Sequence, residues 1–147
     1  MLKRFEVENY RGFSEKLVFD LTAREYGFNQ NLIFNGVVNK AIIYGKNGIG
    51  KTALGFAIFD IISHLTDNKS LKRGNYRNLE HLDRPATFRY FFKFDNDEIV
   101  YAYTKFDQYD LRKEELTVNG REVIRFNYFS DSEEDRFVDD TLKGSLN

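Results

Sequence analysis

Apolar positions along this chain follow two spacings, and the period changes twice. In residues 2–9, LKRFEVEN, Leu2, Phe5 and Val7 stand among charges and are followed by an Arg11-Gly12 turn signal, which predicts a first strand. Residues 16–21, KLVFDL, predict a second strand, joined to the first as a hairpin through Tyr10 to Glu15. Thr22 to Gln30 is polar and predicts a loop, and Asn31 to Phe34 a short strand before Gly36. Lys40 to Tyr44, KAIIY, is an apolar strand candidate running straight into glycine-rich sequence. From Thr52 to Leu65 the period becomes helical, with Leu54, Ile58, Ile61, Ile62 and Leu65 on one stripe and no proline.

The strand period returns after a polar loop, residues 67–85, that holds the single proline, Pro85. Phe88, Tyr90, Phe92 and Phe94 alternate with Thr87, Arg89, Phe91 and Lys93, and a turn at Asp95-Asn96-Asp97 leads into a partner strand, Ile99 to Phe106. Leu111 to Val118 and Arg121 to Asn127 flank Asn119-Gly120, a strong hairpin signal because a type I′ turn needs positive φ at both central residues. Ala86 to Asn127 is therefore predicted to be an antiparallel meander. The combined expectation is an α/β fold with an α+β tendency, in which a strand–loop–helix unit packs with that meander.

The loop between KAIIY and the helix is Gly45-Lys46-Asn47-Gly48-Ile49-Gly50-Lys51-Thr52. Gly-x-x-x-x-Gly-Lys-Thr is the spacing of a P-loop, in which glycines let successive backbone N–H groups face a phosphate. Lys51 would reach the β- and γ-phosphates, and the Thr52 hydroxyl would ligate Mg²⁺ at the first turn of the helix, so the expected ligand is ATP with Mg²⁺. The helix N-terminus favours the same anion. Lys46, Asn47 and Ile49 are expected to contribute backbone. The pattern fixes four positions, so a chance match is the alternative. The strand before it and the helix after it favour phosphate binding.

Composition narrows this further. At 147 residues the chain is one domain's worth but short for a complete P-loop ATPase, so one lobe or a piece of a longer protein is expected. Fifteen Phe and nine Tyr without Trp favour sheet. With 22 Lys plus Arg against 23 Asp plus Glu, no global basic field marks a nucleic-acid binder. From Tyr128 onward six acids oppose two bases, leaving residues 1–127 at +3 within an overall charge of -1. Residues 1–127 are accordingly read as the nucleotide-binding lobe and 128–147 as an acidic, mobile tail. Absence of cysteine excludes disulfides and thiolate chemistry, and His64 and His81 are too few for an imidazole-rich metal site. MLKRFEVENYRGF lacks the apolar core of a signal peptide and no run approaches the ~20 residues of a membrane span, so a cytoplasmic protein without membrane contact is expected.

The opening LKRFEVENYRGF, the following hairpin, KAIIYGKNGIGKT and the meander together resemble the amino-terminal lobe of ABC-type ATPase heads of the SMC, RecF and OLD group. Asn9-Tyr10-Arg11, with Phe13, matches the Asn-aromatic-Arg that ends the first strand in that group. The resemblance implies ATP held between two heads in a head-to-head homodimer, acting on DNA in repair or in phage defence. It also places Arg11 near the nucleotide; the other reading of Arg11 is a solvated turn arginine. A complete head further needs a glutamine loop, a Ser-Gly-Gly-type signature, a strand ending in Asp-Glu and a switch histidine. The strands ending at Asp20 and Asp95 lack the following Glu, Gln30 and Gln108 sit in predicted loops, and Phe137-Val138-Asp139-Asp140 is a short apolar pair in an acidic stretch. An amino-terminal fragment that does not hydrolyse ATP by itself is therefore expected.

Three rivals share the loop, one of them a degenerate P-loop kept for folding, which intact Lys51 and Thr52 oppose. A small-molecule or nucleoside kinase would alternate parallel strands with helices beyond it, which the meander opposes. A GTP switch would need Asn-Lys-x-Asp, and Asn39-Lys40-Ala41-Ile42 supplies only the first half. Lys69, Lys72, Arg73, Arg77 and Arg84 with Tyr76 suggest a DNA contact, but Asp67, Glu80 and Asp83 dilute the field and favour a solvated loop. The aromatic ladder Phe88 to Phe94, with Tyr101 and Tyr103, is read as core, and His64 as a helix C-terminal residue meeting the dipole.

Overall fold

Short turns dictate the architecture. Antiparallel strands can be joined by a few residues, whereas parallel neighbours need a crossover of a dozen or more. The computed structural model describes residues 1–25, 29–66, 75–130, 132 and 135–143. Its strands are β1 (Leu2–Glu8), β2 (Leu17–Asp20), β3 (Ile33–Phe34), β4 (Val37–Val38), β5 (Ala86–Phe94), β6 (Asp97–Lys105), β7 (Leu111–Val118), β8 (Arg121–Asn127) and β9 (Arg136–Val138). One long helix, α1 (Lys51–Leu65), and a single turn, α2 (Asp140–Lys143), accompany them. The main sheet has seven strands in the order β2-β1-β5-β6-β7-β8-β9, all paired antiparallel, and β3 with β4 form a separate small hairpin.

Register places the aromatic residues on one face. One row across the strands runs Leu17, Val7, Phe88, Tyr103, Glu114 and Phe126, and the next runs Phe19, Phe5, Tyr90, Tyr101, Leu116 and Ile124. Phe5, Val7, Phe88, Tyr90 and Tyr103 are fully buried and pack with Leu54 and Ala57 of α1. The intervening row, Val18, Glu6, Arg89, Ala102, Glu115 and Arg125, alternates charges on the opposite face. The core is thus one helix laid across a half-buried sheet. Among the described residues no helix is long and apolar enough to cross a membrane.

The α/β expectation is overturned. Strand accounts for 43% of the described residues and helix for 17%, which makes this a β-rich antiparallel fold rather than a P-loop α/β fold. The difference originates at Lys40 to Tyr44: residues 41–46 form no strand, and Ile42 and Tyr44 are 89% and 91% exposed. A strand exists only where a neighbour accepts its backbone bonds, and the run joins neither edge of the antiparallel sheet. Apolar periodicity reports that a segment suits burial without naming its partner.

Candidate functional site

Residues Gly45 to Gly50 form an exposed loop that enters α1, with Gly48 at φ 85° and Gly50, the residue preceding the helix, at φ 100°. Side chains rarely adopt such angles, and glycine does so without steric cost. At Gly50 space matters as well, because a Cβ there would meet Phe13 Cε1 at 3.1 Å. Phe13 belongs to the turn after β1, so the first strand and the glycine loop touch at this point.

Lys51 opens the helix and folds its side chain back over the loop. Its Nζ donates to the carbonyl oxygens of Gly45 and Lys46, both at 2.7 Å. Gly50 makes no side-chain cap, so the first-turn N–H groups of α1 are left for another acceptor. Among the described residues, none of the backbone N–H groups of Gly45 to Gly50 donates to a backbone carbonyl. Thr52 lies exposed in the first turn of α1. The loop therefore gathers an ammonium, a helix N-terminus and a set of uncommitted amide donors, which is a donor set for an anion of phosphate type.

Arg11 comes to the same helix from the β1 side. It sits at φ 50° in a turn closed by Tyr10 N–H to Phe13 O at 3.0 Å and Phe13 N–H to Tyr10 O at 2.9 Å. Its guanidinium lies 4.9 Å from the ring centre of Phe56 on α1, and its Nε donates to the Tyr10 hydroxyl at 3.2 Å. Asn9, buried, donates through Nδ2 to the carbonyls of His81 and Arg84 at 2.9 and 2.7 Å and so fastens the 81–85 loop. Asn9, Tyr10 and Arg11 thus have separate duties: anchoring a loop, filling the core and flanking α1.

Behind the loop, α1 meets the sheet through polar contacts that periodicity did not disclose. Asp60, 2% exposed, accepts from the hydroxyls of Tyr76 and Tyr103 at 3.0 Å each and from Lys105 Nζ at 3.3 Å. Tyr90 donates to the Ala57 carbonyl at 2.8 Å, and His64 Nε2 shares a hydrogen bond with the Tyr101 hydroxyl at 2.8 Å. Burial pushes the phenols of Tyr76, Tyr90 and Tyr103 well above their ordinary range, so they persist as donors. The available signal was the single acid in KTALGFAIFDIISHL, set on the stripe of Leu54 and Ala57 rather than on the polar side.

The outward stripe of α1 is also apolar. Phe56, Phe59, Ile62 and Leu65 are exposed there, alongside Ile42, Ile43, Tyr44 and Ile49. Ile62 and Leu65, which the helical spacing groups with Leu54, Ile58 and Ile61, are exposed. Of the basic cluster, Lys69, Lys72 and Arg73 lie outside the described residues, and Arg77 is taken up by the Phe106 ring, 4.6 Å away, and the Leu82 carbonyl. Asp139 is held by Arg121 at 2.6 Å and Thr141, and no group of three metal-ligating side chains occurs among the described residues. Neither a protein-family model nor a curated protein matches this sequence.

Proposed function

We propose that this chain binds Mg-ATP at Gly45 to Thr52 and serves as the ATP-binding lobe of an ABC-type ATPase of the SMC, RecF and OLD-like group. The observation that carries the reading is the position of Lys51: its ammonium lies across the loop, within 2.7 Å of the Gly45 and Lys46 carbonyls, beside amide donors that have no backbone acceptor among the described residues. Backbone amides would hold the phosphates, Lys51 would meet the outer ones and Thr52 would contribute a hydroxyl to Mg²⁺. A Mg²⁺ ion held by the Thr52 hydroxyl and the phosphates would neutralise part of the phosphate charge.

Two further features support a composite site. The apolar stripe of α1 and the adjoining Ile42, Ile43 and Tyr44 make an exposed hydrophobic area of the kind that marks an interaction surface. The sequence also carries no strand ending in Asp-Glu to supply a base. The lobe therefore holds nucleotide, and hydrolysis requires another lobe and a second head, with DNA repair or defence against foreign DNA as the setting. The antiparallel sheet beyond the loop disfavours the kinase reading. Titration with Mg-ATP, followed through backbone amide resonances, tests this. The largest shifts are expected at Gly48, Gly50, Lys51 and Thr52; shifts confined to other regions would contradict it.

A further inference from the structure

We infer that Asp60 is a positioning residue that sets α1, which opens at the glycine loop, and the Arg11 turn, whose Phe13 meets Gly50, in register through the Tyr76 hydroxyl. The inference rests on the nucleotide-binding reading of Gly45 to Thr52. Asp60 stands nine residues after Lys51 in α1, about 13 Å along the axis at 1.5 Å per residue, too far to touch a phosphate at the loop. Any influence it has on the site is indirect.

Asp60 and Lys105 are 2% and 4% exposed, and their ion pair at 3.3 Å is inside the core. Replacing such a pair by well-packed apolar residues is often neutral or stabilising, so stability alone does not account for it. The pair supplies direction instead. Donors from separate segments converge on one oxygen, Oδ2, and few rotations and translations of α1 satisfy them together. Tyr103 and Lys105 come from β6 and fix the helix on the sheet. Tyr76 comes from the connection that holds the Arg11 turn.

That connection grips Arg11 from both sides of its peptide: Arg11 N–H donates to the Tyr76 carbonyl at 3.0 Å, and Asn78 Nδ2 donates to the Arg11 carbonyl at 2.7 Å. Arg11 is thereby held at φ 50°, in the left-handed region that costs a side-chain-bearing residue. Its guanidinium then returns to α1 over Phe56, one turn before Asp60. The path closes on itself, from α1 through Asp60, Tyr76 and Arg11 back to α1. Movement of the helix in its seat would move Arg11, and the Tyr76 hydroxyl is the link.

Tyr76→Phe removes that hydroxyl while keeping the ring that packs on Tyr10 and Phe88. In the full chain, Tyr76→Phe and Arg11→Ala are each expected to weaken Mg-ATP binding about tenfold, on the scale of one charge-assisted hydrogen bond. The double variant is expected to bind no more weakly than Arg11→Ala, because Tyr76 acts through Arg11. Amide exchange at Arg11 is expected to quicken about tenfold in Tyr76→Phe, with Tyr101 and Tyr103 amides unchanged. Asp60→Leu with Lys105→Met, which removes both charges and the acceptor for Tyr76 together, should quicken Arg11 exchange in the same way. Unchanged exchange at Arg11 in both variants, or effects of Tyr76→Phe and Arg11→Ala that multiply, would overturn the inference. A wild-type chain that binds no Mg-ATP would defeat the nucleotide reading alone, since the exchange comparison still decides whether Asp60 and Tyr76 hold Arg11.

Discussion

The Phe13 ring lies against Gly50, leaving 3.1 Å between its Cε1 and the place a Cβ would occupy. Gly50 also has φ 100°, so a substitution there meets both backbone strain and a wall. Gly50→Ala is expected to destabilise by more than the ~1–2 kcal/mol of a left-handed residue alone. Gly48→Ala, at φ 85° with open space around it, should stay near that value. Urea unfolding of the two variants checks the order, and equal losses would show that Phe13 yields freely.

Asn119 makes a similar contribution at the far end of the sheet. At φ 50° it turns β7 into β8, its Oδ1 accepts the Glu98 N–H at 2.8 Å and its Nδ2 donates to Asp97 Oδ1 at 2.8 Å. Asn119→Ala keeps the strained angle and loses both bonds. A cost of about 1–2 kcal/mol in thermal or urea unfolding is expected, without effect on Mg-ATP binding.

The buried phenols give stability a defined alkaline limit. Burial is the main cause that raises Tyr10, Tyr76, Tyr90, Tyr101 and Tyr103 above the ordinary value of 10.0, and Tyr128 is pushed up to about 12. A pKa raised on folding means the folded state favours the protonated phenol. Its contribution is complete below pH 10.0 and is lost as pH rises above that value. Phenolate absorbance should therefore lag free tyrosine and then rise together with loss of the far-ultraviolet strand signal. A smooth titration of all tyrosines in a folded chain would contradict the burial.

The outward stripe of α1 predicts a different response. Phe59 and Ile62 are 63% and 53% exposed, so Phe59→Glu with Ile62→Glu should leave thermal stability within about 0.5 kcal/mol per site. The same pair should reduce binding of a hydrophobic dye and any self-association seen by sedimentation. A large loss of stability would mean that this stripe is packed in solution.

These responses follow from features of unequal legibility in the sequence. β7 and β8 were visible because period-two alternation meets Asn119-Gly120, and both follow from neighbours in the chain. The helix after Gly50 was visible for the same local reason. Lys40 to Tyr44 misled because a strand needs a partner, and no local pattern states whether one is present. The Asp60, Tyr76 and Lys105 cluster was hidden because its members are brought together only by the packing of α1 on the sheet. Arg11 was singled out by a short motif, while its seat over Phe56 depends on the Tyr76 backbone far along the chain.

The central claim is that Lys51 and its loop form a triphosphate site, and calorimetric titration of Mg-ATP into the wild-type chain and Lys51→Ala measures it most directly. Saturable binding of one nucleotide per chain is expected, weakened by about 100-fold in Lys51→Ala, the loss of one charge-assisted contact of ~3 kcal/mol. Equal affinity in the two chains, or no binding by wild type, would contradict the account.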